Sequence, residues 1–331
     1  MPFGPTFSTC SPTNLRDSKG SWTEKAPIPL SARQEHTTVA VSSTTLAILG
    51  GIDESGRNTT DMMQLYDIPS NKWISAAPLP RPLNHVNAAA VDGKIYLLGG
   101  LADNGDGAWR AAPECWVYDP KTNSWETLPP MPPGTARGSS AIGVFRNRIW
   151  LAGGMTILSL TGTFEQGSVD TVSVFDTISR KWTVLQTGIP APRDHVGGAV
   201  VGSTFYVVGG RDHGQVNVRG TVFSLDLDCP TGPWVTKKGS MPTPRGGLAT
   251  AAIGSVIYTF GGEGNPVNGS QGVFNETEAY DTVSDRWERL SPMAVPRHGT
   301  SAVGVGGRIY IPGGGIKQGA GPVNYFDVFS P

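Results

Sequence analysis

Ile95-Tyr96-Leu97-Leu98-Gly99-Gly100 is an apolar run that ends on two glycines. Five further runs end the same way: Leu46 to Gly51, Ile149 to Gly154, Phe205 to Gly210, Ile257 to Gly262 and Ile309 to Gly314. Successive second glycines lie 49, 54, 56, 52 and 52 residues apart. A short apolar run bounded by glycine reads as a buried strand, and glycine at its end marks the close approach of another backbone. Self-similarity at a period near fifty residues means a repeat array, in which each unit buries its faces by stacking on its neighbours.

Past a variable segment, each run is followed by an aromatic or leucine and an aspartate: Tyr66-Asp67, Tyr118-Asp119, Phe175-Asp176, Leu225-Asp226, Tyr280-Asp281 and Phe326-Asp327. A tryptophan comes next, at Trp73, Trp125, Trp182, Trp234 and Trp287, seven residues after the aromatic in all but the fourth copy. This pattern resembles the Kelch repeat over nearly the whole chain. The resemblance implies an all-β fold, a six-bladed β-propeller with four antiparallel strands per blade, a to d from the channel outward. The sixth copy stops at Ser330-Pro331 without its tryptophan, and Gly20-Ser21-Trp22-Thr23 supplies the missing piece. The expected organisation is an N-terminal tail over 1–19 and a single propeller over 20–331. Its last blade is shared between about 288–331 and 20–26, which leaves no open edge.

Charged residues make up 16% of the 331 and the net charge is −1. No basic excess exists to neutralise nucleic-acid phosphates or to attract an anionic membrane surface. No stretch approaches the roughly 18 apolar residues of a membrane span, and Met1 to Thr13 lacks the pattern of a signal peptide. Cys10, Cys115 and Cys229 are odd in number and far apart, which suits neither a disulfide framework nor a zinc site. The expectation is a cytoplasmic protein without cofactor, nucleic-acid partner or membrane. Glycosylation sequons at Asn58, Asn268 and Asn275 point mildly the other way.

The segments after each double glycine, the b–c loops, are long (52–62, 101–114, 155–171, 211–221, 263–277 and 315–323), whereas the a–b and c–d connections are short. Binding residues concentrate on long loops held by a rigid scaffold, so the face that carries them is the expected functional face. Trp109 and Phe164 are not used by the repeat, and with Arg110 they are candidate ligand anchors. The alternative is that they cap their own blades.

A second register marks the entry to strand a. Seventeen residues before the second glycine stand Arg137, Arg193, Arg245 and Arg297, with Arg33 and Arg81 nearby in the first two copies. Fifteen residues before it stand His36, His85, Ser139, His195, Gly247 and Gly299, with His298 one place earlier. A ring of arginines and histidines at the channel mouth suits a small anion or an acidic peptide, and the Kelch resemblance implies the same use. The alternative ties each guanidinium to backbone carbonyls. A metal site is not expected, because His195 is two blades on from His85 and zinc needs donors at about 2.0–2.1 Å.

Arg211 and Glu263 directly follow their double glycines, where the other copies have Ile52, Leu101, Met155 and Gly315. With Asp194 and His195 they assemble a carboxylate, an imidazole and a guanidinium, the groups that general acid–base catalysis needs. An inter-blade ion pair is the alternative. Two functions follow. One is binding of a small amphipathic or anionic molecule at the long-loop face. It includes cofactor-independent isomerase or cyclase chemistry, which the similarity to stand-alone sialic acid mutarotase-type Kelch proteins implies. The other is a protein- or peptide-binding scaffold on the same face, the commonest role in the Kelch family. Copper radical oxidase chemistry and the iron motif of plant specifier proteins find no counterpart in these residues.

Overall fold

The computed structural model describes residues 19–161 and 165–331. The expected tail, up to Met1–Ser18, and the candidate Phe164 lie outside the described residues. Six antiparallel blades of four strands each stand around one axis, and the sheet of blade 2 carries two further strands. In the order a to d, blade 1 is Thr37–Ala40, Thr45–Leu49, Met63–Asp67 and Lys72–Ser75. Blade 2 is Ala88–Val91, Lys94–Asp103, Ala108–Asp119 and Ser124–Leu128. Blade 3 is Ala141–Phe145, Arg148–Ala152, Val172–Asp176 and Lys181–Val184, and blade 4 is Gly197–Val201, Thr204–Val208, Val222–Asp226 and Val235–Thr236. Blade 5 is Ala249–Ile253, Val256–Phe260, Thr277–Asp281 and Arg286–Arg289. Blade 6 takes Val303–Val305, Arg308–Pro312 and Phe326–Ser330 from the end of the chain and Ser21–Glu24 from its beginning. Trp22 pairs there with Phe329, so the N-terminal strand closes the ring. Among the described residues no helix is long and apolar enough to cross a membrane.

The double glycines and the tryptophans explain the stacking. Each second glycine has a positive φ, as at Gly51 (98°) and Gly262 (112°). A Cβ there would sit 2.6 Å from Gln34 O or 2.8 Å from Gly246 O, so the backbone entering strand a leaves room for glycine only. Five of the six outer tryptophans, all but Trp234, donate the indole N–H to a carbonyl of the preceding blade, as Trp73 does to Ala26 O (2.8 Å) and Trp287 to Gly239 O (3.0 Å). The apolar faces between blades are thus locked at the rim by a directed bond.

The long segments are not all irregular. In blade 2 strands b and c continue outward as a hairpin, and Met155–Ser159 of blade 3 adds to it through Leu158 opposite Trp109. Gly315–Lys317 and Ala320–Pro322 form a second hairpin beyond blade 6.

Candidate functional site

Glu35, His85, Ser139, His195, Gly247 and Gly299 ring the axis at the entry to the six a strands. All six have φ between 48° and 62°. Their backbones are chained around the axis. His85 N donates to Glu35 O (2.9 Å), Ser139 N to His85 O (2.9 Å), Gly247 N to His195 O (2.9 Å), Gly299 N to Gly247 O (2.9 Å) and Glu35 N to Gly299 O (2.6 Å). His195 N breaks the pattern by donating to Ser139 Oγ (3.1 Å). Non-glycine residues held in the left-handed region persist only where the surroundings over-determine them. Because glycine or serine occupies three of the six places, the axis is left to Glu35, His85 and His195.

Those side chains begin a closed circuit. His85 Nε2 lies 2.9 Å from His195 Nε2 and 3.1 Å from Glu35 Oε2. His195 Nδ1 donates to Asp194 Oδ1 (2.5 Å), which lies 3.4 Å from Arg211 Nε. Arg211 pairs with Glu263, whose other oxygen accepts from Gly319 N (2.8 Å) and stands 3.5 Å from His298 Nδ1. His298 Nδ1 is 3.3 Å from Glu35 Oε1, which returns the circuit to its start. These last two approaches are electrostatic, since His298 Nδ1 makes no directed hydrogen bond, while its Nε2 donates to Lys317 O (2.8 Å). No member of the circuit is more than 8% exposed.

Charge states follow from this packing. Burial works against ionising Asp194, but the hydrogen bond from His195, joined by the charge of Arg211, holds its carboxyl below the usual range. Glu263 is likewise lowered against burial by His298 and Arg211. Glu35 lies well below the carboxylate range, because His85 and His298 outweigh its desolvation. His298 is pushed up to about 9 despite burial, since it faces Glu263 and Glu35. His195 is lowered, first by burial and then by Arg211, which favours the neutral ring.

The long-loop end of this hub is closed. Ile52, Leu101, Trp109, Met155 and Leu158 form an apolar cap. The hairpin 315–322 lies across the remainder: Gln34 Nε2 donates to Gly319 O (3.2 Å) and Gln318 N donates to Gln271 O (2.8 Å). The free volume lies on the opposite side. A channel of about 310 Å³, lined by the a strands from Thr37 to Ala40, Ala88 to Ala90 and Thr300 to Val303, runs from the a–b turns toward the hub. A neighbouring space of about 110 Å³ shares Thr37, Ser140, Ile142, Val196, Leu248, Thr300 and Ser301 with it and is also lined by Glu35, His85, Ser139, His195, Gly247 and Gly299.

A family profile described as the KLHDC2/KLHL20/DRC7 Kelch-repeats domain matches residues 13–188 and again 160–315. The chain belongs to the Kelch-repeat family. Kelch-like protein terF of Aspergillus terreus is 39% identical over 327 residues, covering 97% of this chain and 70% of that protein. Kelch-like protein 34 of Homo sapiens is 30% identical over 238 residues, and alpha-scruin of Limulus polyphemus 28% over 235. This Kelch chain spans only 34% and 24% of the length of those two.

Within this Kelch propeller the four residues singled out for acid–base work, Asp194, His195, Arg211 and Glu263, do meet. They meet beneath the cap, so a substrate at the long-loop mouth has no path to them, and of the four only His195 borders the channel. The ion-pair alternative describes Arg211 and Glu263. The arginine ring is also corrected. Arg137 donates to Gly153 O (2.6 Å) and Leu151 O (3.0 Å), Arg193 to Thr221 Oγ1 (2.9 Å), Arg245 to Glu278 Oε2 (2.6 Å) and Arg297 to Gly313 O (3.0 Å). All four are buried inside their blades. His36 donates Nε2–H to Pro312 O (2.9 Å), and burial depresses its pKa to about 3, so it staples blade 1 to blade 6 as a neutral ring. His85 and His298 belong to the circuit. Trp109 is part of the cap, 8% exposed with its ring 5.8 Å from that of His85, while Arg110 is exposed and pairs with Asp106 (2.6 Å).

Sequence reasoning missed Glu35, Asn84 and Ser168. Counting back fifteen residues landed on His36 because the a–b turn of blade 1, Ser42-Ser43-Thr44, is one residue longer than the Asp92-Gly93 turn of blade 2. Allowing for that insertion would have put Glu35 in register. His85 and His195, two blades apart, reach across the axis past Ser139 and meet, their Nε2 atoms 2.9 Å apart.

Proposed function

We propose that this Kelch propeller is an interaction module whose protein partner docks on the long-loop face. The observation that supports this reading is the contrast between a sealed hub and exposed loops around it. A groove of about 510 Å³ between the loops of blades 3 and 4 is lined by Glu165, Gln166, His213, Gln215, Val216 and Asn217. Val216 and Val267, on adjacent blades, are 76% and 66% exposed. Glu54, Asp103, Asp106, Glu165 and Asp170 are exposed on the same loops, against Arg57, Arg110 and Lys317. The expectation of an acidic peptide rested on arginines that are buried, so the exposed charge favours a partner segment carrying basic residues beside apolar ones.

The test is a binding assay with a partner recovered on the immobilised full chain. Glu165→Lys and Val216→Asp, both surface changes, are expected to weaken binding at least tenfold, and raised salt to weaken it further. Lys94→Glu, at the a–b turn of blade 2, is expected to leave it unchanged. Binding lost with Lys94→Glu and kept with the loop variants would overturn the reading.

A second reading is favoured by the channel, which offers a small molecule a blind-ended space with Glu35, His85 and His195 at its floor. Entry would be from the a–b turns, opposite to the face expected from sequence.

A further inference from the structure

We propose that the blind end of the channel is a binding site for a divalent first-row transition metal of the zinc class, held by Glu35, His85 and His195. This stands independently of the loop-face reading. One ligand atom from each residue lies within 4.8 Å of the others. The His85 Nε2 to His195 Nε2 separation is 2.9 Å and the His85 Nε2 to Glu35 Oε2 separation 3.1 Å. Donors at about 2.0–2.2 Å from a tetrahedral ion stand roughly 3.3–3.5 Å apart. These two separations would therefore open by only a few tenths of an ångström to admit one.

Proton bookkeeping is the second, separate observation. His195 Nδ1 donates to Asp194 Oδ1 at 2.5 Å, and His85 Nδ1 donates to Asn84 Oδ1 at 2.6 Å. Asn84 is oriented by its own amide, which donates to Thr59 Oγ1 (2.7 Å). Both rings thus carry hydrogen on Nδ1, and in a neutral ring the lone pair is on Nε2. The two Nε2 atoms and a carboxylate oxygen converge on one point, where either a shared proton or a metal ion holds them together. Histidine with its far nitrogen held by a carboxylate or amide oxygen is the outer-sphere pattern that orients a metal ligand. Asp194 is itself held by Arg211 and Ser168.

The donor set of two imidazoles and one carboxylate leaves a coordination position toward the channel, where water or an anionic oxygen ligand from solution can enter. The apolar cap and the hairpin 315–322 close the opposite side, so exchange runs through the channel alone.

The test is titration of the untagged, chelator-stripped full chain with Zn²⁺ by calorimetry, and with Co²⁺ by visible absorption. The proposal expects one high-affinity site per chain and the intense d–d bands of four- or five-coordinate cobalt. Glu35→Gln, His85→Gln and His195→Gln should each weaken Zn²⁺ at least 100-fold, and Asp194→Asn, which touches no metal, about 10–100-fold. Far-UV circular dichroism and melting of each variant separate lost binding from lost folding, and the cobalt spectrum of the unaltered chain needs no variant at all. Absence of stoichiometric uptake by the unaltered chain at micromolar metal overturns the proposal and leaves the three groups sharing a proton. Undiminished uptake by a folded His85→Gln/His195→Gln double variant also overturns it, placing the metal elsewhere.

Discussion

The two halves of the hub fill the same geometric positions with opposite chemistry. In blades 1 to 3 the residue after the double glycine is Ile52, Leu101 or Met155, all in the apolar cap. In blades 4 and 5 it is Arg211 or Glu263, joined to each other and to Asp194 and His298. Backbone pairing is the same in both halves: Asn84 bridges Leu101 as Asp194 bridges Arg211 and Gly246 bridges Glu263. The difference teaches that this register demands burial but not polarity. An apolar residue satisfies the demand by itself, whereas a charged one requires its partner in place.

The sharpest way to break the comparison is to remove one charge. Glu263→Gln leaves Arg211 buried with half its counter-charge and takes an acceptor from Gly319 N–H, so a loss of about 3–5 kcal/mol in urea unfolding is expected. Joining Arg211→Met to it should recover part of that loss, and a strictly additive double variant would contradict the coupled circuit. In the apolar half, Met155→Ala should cost about 2–4 kcal/mol by cavity formation, with no partner able to rescue it. Smaller still is the contrast between two glycines of nearly equal φ. Gly306 (58°) has nothing within 4 Å of an added Cβ, so Gly306→Ala should cost only about 1–2 kcal/mol, the strain of the left-handed region. At Gly299 (59°) the added Cβ would overlap the Glu35 carboxylate, and Gly299→Ala should cost about 1–2 kcal/mol more in the same measurement. Equal costs would show that Glu35 is not held where the circuit requires.

Much of the fold was legible because its signals are local and repeated. A double glycine reports a close backbone approach wherever it stands, and Trp22 could be assigned to blade 6 because every other blade already had its outer tryptophan. The candidate site was legible only in part. Asp194, His195, Arg211 and Glu263 could be named because they depart from the repeat. Their burial could not, since it depends on Trp109 and Leu158, which reach the hub through hairpins longer than the repeat. Arg137 and Arg245 looked like a mouth lining because their position is periodic. That periodicity is structural, each guanidinium binding strands b and c of its own blade.

By itself the amino-acid sequence determined six blades and the strand that closes them, because steric constraints on glycine and the spacing of tryptophan act within one repeat. Only the tertiary structure decided which side chains share the axis. His85 and His195 are 110 residues apart, and their meeting depends on the ring's radius, a serine in the blade between them and the one-residue turn insertion that puts Glu35 rather than His36 beside them. Contacts across a closed ring are set by all six blades at once, so no single repeat encodes them.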